Sequence, residues 1–85
     1  MNFLRIIWDL DDDEEGNIRH ILEHGVSVAE VEEVLRTAPQ EAFSRSSGRP
    51  LVFGHTAAGR LLVVVFEQVD QDTIYPITAY EPEES

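Results

Sequence analysis

The chain has 85 residues, which is enough for one folded domain with a single hydrophobic core. It contains no cysteine, so disulfides, thiolate metal sites and cysteine nucleophiles are excluded. Six arginines, no lysine and seventeen acidic residues give a net charge of −11, which argues against general affinity for nucleic acid.

The N-terminal segment predicts a strand followed by a helix. Residues 3–8 suit a strand, and the acidic run within residues 9–15 suits a helix start, because carboxylates complement the partial positive charge of a helix N-terminus. Gly25 ends this helix. The apolar stretch before the acids is too short for a signal peptide or a membrane span, so we expect a soluble cytoplasmic protein with no membrane partner.

A second helix begins after Ser27. Ser27 and Glu30 have the spacing of a capping box, and Val26 and Val31 occupy the two positions of a hydrophobic staple. Apolar residues at helical spacing continue to residue 35, and Pro39 closes the helix. This helix is therefore predicted to be scaffold.

Beyond Pro39 the pattern changes from helix to strand. The sequence predicts strands at 50–56, 60–68 and 73–80, with turns at 57–59 and 70–72, and residues 41–45 are compatible with a further short strand before a turn at 46–48. Segment 60–68 is apolar on both faces, which is typical of a central strand. Pro76 removes one ladder hydrogen bond and indicates a sheet edge or a bulge.

These elements define an α+β fold in one domain spanning residues 1–85. Its order is β-α-α-β-β-β, with two N-terminal helices packed on a small antiparallel sheet, and we expect residues 81–85 to form a flexible acidic tail.

Three polar residues form the most informative pattern. In the first predicted helix, Asn17, His20 and His24 are spaced i, i+3 and i+7 and so share one face. This stripe is either solvated surface or the wall of a site. Asn17 could equally cap the helix, and His24 could be a helix-end residue favoured by the dipole. The opposite face, expected to be buried, consists of Ile18, Ile21 and Leu22.

The charge is unevenly distributed along the chain. Residues 1–33 carry −8 and residues 67–85 carry −6, whereas residues 34–66 hold four arginines against one glutamate and carry +3. An anionic ligand would therefore be expected to bind to the middle segment, residues 34–66. The alternative is that these arginines are scattered on the surface and that the acidity serves solubility.

The order of the elements and several short motifs resemble the BrnT family of toxins. None of the matching pieces is specific alone, but their order is, and they run through nearly the whole chain. The resemblance implies a compact RelE-like fold and an endoribonuclease that halts translation in a type II toxin–antitoxin pair. It also implies a partner antitoxin that masks the active surface. The matching pieces are Trp8-Asp9, Asn17, HGVS at 24–27, Gly54, AAGRLLVVV at 57–65 and Ile77-Thr78-Ala79.

The sequence differs from this family at positions where a typical member has lysine or arginine. A typical member is strongly basic, carries lysines before the HG junction and ends its last strand with arginine and lysine. This chain has Glu23 at the first place and Tyr80-Glu81 at the second. The cationic surface that would hold a scissile phosphate is therefore reduced, which indicates a divergent, acidic subgroup.

The candidate catalytic residues are His20, His24, Arg60 and Tyr80. His20 or His24 would act as base or acid, since histidine titrates closest to neutral pH, and Tyr80 would assist as a hydrogen-bond donor or proton carrier. Arg60 is the best match to the family and would hold the phosphate, a role that Arg49 shares as an alternative.

The candidate substrate-binding residues are Asn17, Arg49 and Glu67. Arg60 and Glu67 lie seven apart, so in a regular strand they project from opposite faces, and one of them is then structural. Glu67 ends an apolar strand and could equally be a solvated terminus.

No metal and no cofactor is predicted. A histidine pair spaced i, i+4 can bind zinc, but a catalytic site needs a third protein ligand, and the sequence offers only His55 or an acidic side chain. Two histidines can run RNA cleavage without a metal.

Two functions from different classes remain open. The first is an RNA-cleaving toxin with a cognate antitoxin, of a ribbon-helix-helix or other DNA-binding type. The second is a non-catalytic module that retains the toxin fold and binds a basic protein through its acidic surface. A homodimer is compatible with both.

Overall fold

The computed structural model describes residues 5–37, 40–43 and 48–82 of the chain. Within these residues, the strands form one sheet in the order β1-β5-β4-β3-β2. The predicted α+β class is confirmed. The elements are β1 (Arg5–Ile6), α1 (Asn17–Glu23), α2 (Val28–Arg36), β2 (Gln40–Phe43), β3 (Pro50–His55), β4 (Leu61–Asp70) and β5 (Thr73–Tyr80).

The sheet is mixed, so the prediction of an antiparallel sheet is wrong. Strands β2 to β5 follow one another as antiparallel neighbours, whereas β1 runs parallel to β5. Both helices and three strands separate β1 from β5, so no hairpin forces them to be antiparallel. The short segment 40–43 is a full member of the sheet, which puts four strands after the helices instead of three. The predicted turn at 46 and 47, the closing Pro39 and residues 83–85 of the tail lie outside the described residues.

Strand β4 is the middle strand of the sheet, as its apolar sequence predicts. Leu62, Val64 and Phe66 belong to the buried core that the helices cover. The alternate residues, Leu61, Val63 and Val65, point to the other face of the sheet, where Leu61 and Val65 are only half-buried. Within the described residues, therefore, the helices cover one apolar face of β4 and leave the other partly accessible.

A bulge interrupts the pairing of β4 with β5 next to Pro76. Val65 lies opposite Thr78, but Phe66 lies opposite Pro76, so Ile77 has no partner on β4. The predicted irregularity at Pro76 is confirmed. It turns the Ile77 backbone out of the ladder and makes its carbonyl accessible from α1.

Helix α2 begins as predicted. The Ser27 side chain accepts a hydrogen bond from the Glu30 N–H at 3.2 Å, and the Glu30 carboxylate accepts from the Ser27 N–H at 3.0 Å, which completes the capping box. Both staple valines, Val26 and Val31, are fully buried. The helix therefore has a fixed start against the sheet.

Helix α1 begins later than predicted. Its first residue is Asn17 and its N-cap is Gly16, and no acidic residue lies in its first turn. The acids of residues 9–15 form a loop instead. This loop folds back so closely that a Cβ at Gly16 would lie 2.8 Å from the Asp9 Cβ, so the position requires glycine. The interpretation of the acids as a helix start was wrong: these residues precede α1, and one of them, Asp9, accepts from the N–H of its first residue, Asn17, at 2.9 Å.

The end of α1 is a Schellman motif. Gly25 has φ +73°, its N–H donates to the Leu22 carbonyl, and the Val26 N–H donates to the Ile21 carbonyl. The predicted stop at Gly25 is confirmed. His24 is thereby fixed at the corner between the two helices.

The buried and exposed sides of α1 differ from the predicted stripe. Ile21 is fully buried, but Leu22 is 52% exposed and Asn17 is only 1% exposed. The reason is that α1 packs along β5, where its polar side chains contact backbone carbonyls of that strand. The prediction that Leu22 is buried is therefore wrong.

Candidate functional site

Asn17 joins three segments of the chain. Its side-chain Nδ2 donates to the carbonyls of Pro76 at 2.8 Å and Ile7 at 3.0 Å, and its Oδ1 accepts from the Asp9 N–H at 2.9 Å. The backbone N–H of Asn17 in turn donates to Asp9 Oδ2 at 2.9 Å. All these groups are satisfied by the protein itself, which gives Asn17 a structural role in this part of the fold.

A hydrogen bond between Asp9 and Tyr75 adjoins the hydrogen bonds of Asn17, and the sequence did not predict it. The Tyr75 hydroxyl donates a short hydrogen bond to Asp9 Oδ2. That bond is the main cause of a lowered pKa for Asp9, with the Asn17 backbone N–H adding to it. The same bond raises the pKa of Tyr75 to about 12. At neutral pH the pair is therefore a carboxylate and a neutral phenol.

His20 lies one turn further along α1 and faces the bulge. Its Nδ1 is 3.4 Å from the Ile77 carbonyl oxygen. A carbonyl oxygen only accepts hydrogen bonds, so this contact favours the tautomer with the proton on Nδ1 and leaves Nε2 as the acceptor. His20 is half-buried.

His24 and Tyr80 are in contact at the end of α1 and β5. Their ring centroids are 5.9 Å apart and the ring planes are tilted by 52°. His24 is exposed and Tyr80 is half-buried, so a ligand can reach the pair. The sequence predicted both residues as site residues, and the fold brings them together.

Arg60 lies at the same end of the sheet, where its guanidinium contacts two carboxylates. Nε donates to Glu81 at 2.6 Å, and Nη1 donates to the Glu30 oxygens at 3.0 and 3.1 Å and to the Gly25 carbonyl at 2.9 Å. Glu81 and Glu30 both raise the pKa of Arg60. The sequence assigns Glu81 to a flexible acidic tail, and in the structure its carboxylate is an ion-pair partner of Arg60.

Arg49 and Glu67 lie toward the opposite end of the sheet. Arg49 precedes β3 and Glu67 is in the second half of β4, and both are exposed. Six residues of extended strand separate Leu61 from Glu67, which is about 20 Å. The structure therefore groups His24, Tyr80 and Arg60, with His20 nearby on the same helix, and separates Arg49 and Glu67 from them.

The sequence did not predict three residues as hydrogen-bond partners of the site: Glu30, Glu81 and Tyr75. Glu30 was recognised only as a cap, Glu81 was placed in the tail, and Tyr75 was not among the candidate site residues. Their roles depend on contacts with residues 21 to 66 positions away in the chain, which no local pattern encodes. For Asp9, its place directly after Trp8 in the family-like motif was the available signal.

A groove of about 450 Å³ runs along the outer side of α1. Glu14, Arg19, Leu22 and Glu23 line it. Leu10, in the preceding acidic loop, is 76% exposed. The N-terminal region thus combines exposed leucines with carboxylates, which is a surface suited to a cationic and partly apolar ligand.

No family model, curated protein or solved structure matches this chain. Among residues 5–37, 40–43 and 48–82, no group of three or more histidine, aspartate or glutamate side chains is placed to hold a metal ion. No helix in this part of the chain has the length and apolar composition needed to cross a membrane.

Proposed function

We propose that this chain is a BrnT-like toxin of a type II toxin–antitoxin pair, with a RelE-like fold and a metal-independent endoribonuclease activity that inhibits translation. One observation carries the proposal: the fold places His24 and Tyr80, which are 56 positions apart, in contact at an accessible end of the sheet. An imidazole beside a phenol is a combination that can move protons at neutral pH. The family resemblance supplies the substrate class.

The chemistry needs only these groups and a cation. His24 takes the proton of the ribose 2′-hydroxyl, and the 2′-oxygen then attacks the adjacent phosphorus. The bond to the 5′-oxygen breaks, and this oxygen leaves with a proton from Tyr80 or from His20 as the acid. Each step conserves protons and electrons without a metal or a cofactor.

Holding the phosphate is the step in which this chain differs from its basic relatives. Arg60 already donates to Glu30, Glu81 and the Gly25 carbonyl, so its charge is largely compensated. In this proposal the positive charge at the phosphate is that of the His24 imidazolium formed once His24 has taken the 2′-hydroxyl proton, and Arg49 guides the RNA from a distance. The weak cationic field predicts low affinity and a shallow salt dependence.

The test is cleavage of RNA by the purified protein, in chelator, with and without ribosomes. We expect cleavage that decreases at least a hundredfold in His24→Ala and Tyr80→Phe, since each removes one proton-transfer group. His55→Ala is the matched control, because His55 is exposed on β3 and β4 separates it from β5. Equal cleavage in all four proteins would contradict the assignment of the site.

In the cell, the proposal places the protein in the cytoplasm with its RNA substrate and a cognate antitoxin. The antitoxin is of a DNA-binding type and covers the surface around His24 and Tyr80. Finding a small adjacent reading frame whose product protects this surface would support a toxin–antitoxin pair. The proposal is compatible with either a monomer or a homodimer.

A second candidate function is favoured by the groove along α1. There, Leu22 is 52% exposed between Glu14 and Glu23, and the whole chain carries −11. A non-catalytic module that binds a basic protein would use this surface. Loss of partner binding in Leu22→Glu, together with normal binding in His24→Ala and no RNA cleavage by the folded wild type, would select this function over the first.

A further inference from the structure

We propose that Arg60 is a positioning residue that sets the contact between His24 and Tyr80, and that it does not bind the substrate phosphate. The proposal rests on the function proposed above for the two rings. It assigns to Arg60 a role different from the phosphate-binding role that the sequence predicts. The geometry of the guanidinium supports it.

The first observation is which residues Arg60 holds. Its Nη1 donates to the carbonyl of Gly25, which directly follows His24 in the chain. Its Nε donates to the carboxylate of Glu81, which directly follows Tyr80. One planar guanidinium therefore holds the residue after each ring of the pair, and its rigid fork fixes their separation.

The second observation is how Arg60 itself is held. Its backbone closes the turn between β3 and β4: Arg60 N–H donates to Thr56 Oγ1 at 3.2 Å, and its carbonyl accepts from Thr56 N–H at 2.9 Å. Glu30, which accepts from Nη1, is fixed by the capping box of α2. Arg60 thus connects the turn, the start of α2 and the end of β5 to the corner at His24.

The third observation concerns charge. The side chains of Arg60, Glu30 and Glu81 are 26%, 29% and 38% exposed, so the cluster lies at the surface with two carboxylates around one guanidinium. A phosphate that approached Arg60 would meet these two carboxylates first. The arrangement is suited to holding protein groups in place and is unfavourable for binding an anion.

The experiment compares Arg60→Gln with Arg19→Gln, which removes the same charge from an exposed residue of α1. The first readout is the NMR cross-peak between the His24 and Tyr80 rings in the free protein. We expect it to be lost in Arg60→Gln and kept in Arg19→Gln. The second is RNA cleavage, where we expect kcat to decrease about tenfold or more while KM changes less than about twofold, because misplaced reacting groups slow the chemical step.

Two further variants keep the test decisive if Arg60→Gln does not fold. Glu81→Gln releases only the β5 side of the contact, and we expect a weaker ring cross-peak and a smaller decrease in kcat. Arg60→Lys keeps the charge without the fork, and we expect it to restore less than half of the lost kcat. Circular dichroism confirms that each variant is folded.

The outcomes separate the two proposals. An unchanged ring cross-peak in the folded variants, with a raised KM and a reduced salt dependence, would identify Arg60 as a phosphate ligand and overturn the positioning role. A wild type without cleavage whose ring cross-peak still depends on Arg60 would refute the proposed function and leave the positioning role intact.

Discussion

The side-chain amide of Asn17 extends the backbone ladder of the sheet to Pro76. Arg5 N–H donates to the carbonyl of Asp72, directly before β5, and Ile7 N–H donates to the carbonyl of Ile74, two residues further on. The next rung would join Asp9 to Pro76, but there the Asn17 amide intervenes, accepting from Asp9 N–H and donating to the Pro76 carbonyl at 2.8 Å. One side chain thus replaces a peptide group between β1 and β5.

Replacing Asn17 by alanine is expected to reduce the free energy of unfolding by about 2–4 kcal/mol, because it leaves the part-buried Asp9 N–H and the buried Pro76 carbonyl without this partner. Urea denaturation measures the change. Asn17→Asp keeps the size but loses both donors, so it should be no more stable than the alanine variant. A loss below about 0.5 kcal/mol for either variant would contradict the ladder role.

Two neighbouring residues of α1 test how the helix is placed. Ile21 is fully buried whereas Leu22 is 52% exposed. We expect Ile21→Ala to lower the free energy of unfolding by about 2–5 kcal/mol and Leu22→Ala by less than about 0.5 kcal/mol. Equal losses at the two positions would show that α1 faces the sheet as the sequence predicted.

The capping box of α2 gives a prediction on local stability. Ser27→Ala removes the acceptor for the Glu30 N–H, and we expect a loss of about 1 kcal/mol in thermal or urea denaturation. Thr37→Ala, at the other end of the helix, is the control, because the exposed Thr37 hydroxyl donates to the Glu33 carbonyl of its own helix. A Ser27 variant as stable as this control would refute the cap.

The bond between Tyr75 and Asp9 predicts a change of stability at alkaline pH. The folded protein holds the Tyr75 proton up to a pKa of about 12, against an ordinary value of 10.0. Its stabilising contribution is therefore fully present below pH 10.0 and is lost as the pH rises through about 12. Tyr75→Phe should be less stable than the wild type at about pH 9, and the difference should narrow by about pH 11.5. A difference that stays constant with pH would contradict the bond.

Local sequence patterns predicted the parts of the fold that depend on neighbouring residues. The capping box at Ser27, the helix end at Gly25 and the irregularity at Pro76 are all confirmed, because each needs residues only a few positions apart. The central position of β4 was predictable for a similar reason, since a strand that is apolar on both faces is unfavourable at an edge.

The remaining features depend on contacts between distant segments. The parallel pairing of β1, the exposure of Leu22 and the ion pairs of Arg60 arise from contacts between segments that are far apart in the chain. The sequence selected His24, Tyr80 and Arg60 as candidate site residues, and it could not show that Arg60 is surrounded by carboxylates. Asn17 was selected as a polar candidate for substrate binding, and in the structure its side chain donates to the Pro76 carbonyl of β5.

The chemical ends of the cleaved RNA test the central claim most directly. Attack by the 2′-oxygen in the presence of chelator leaves a 2′,3′-cyclic phosphate on one product and a 5′-hydroxyl on the other. We expect these ends for the wild type and the His55→Ala control, and their loss in His24→Ala and Tyr80→Phe. Absence of cleavage by the folded protein, or products that carry a 5′-phosphate, would contradict it.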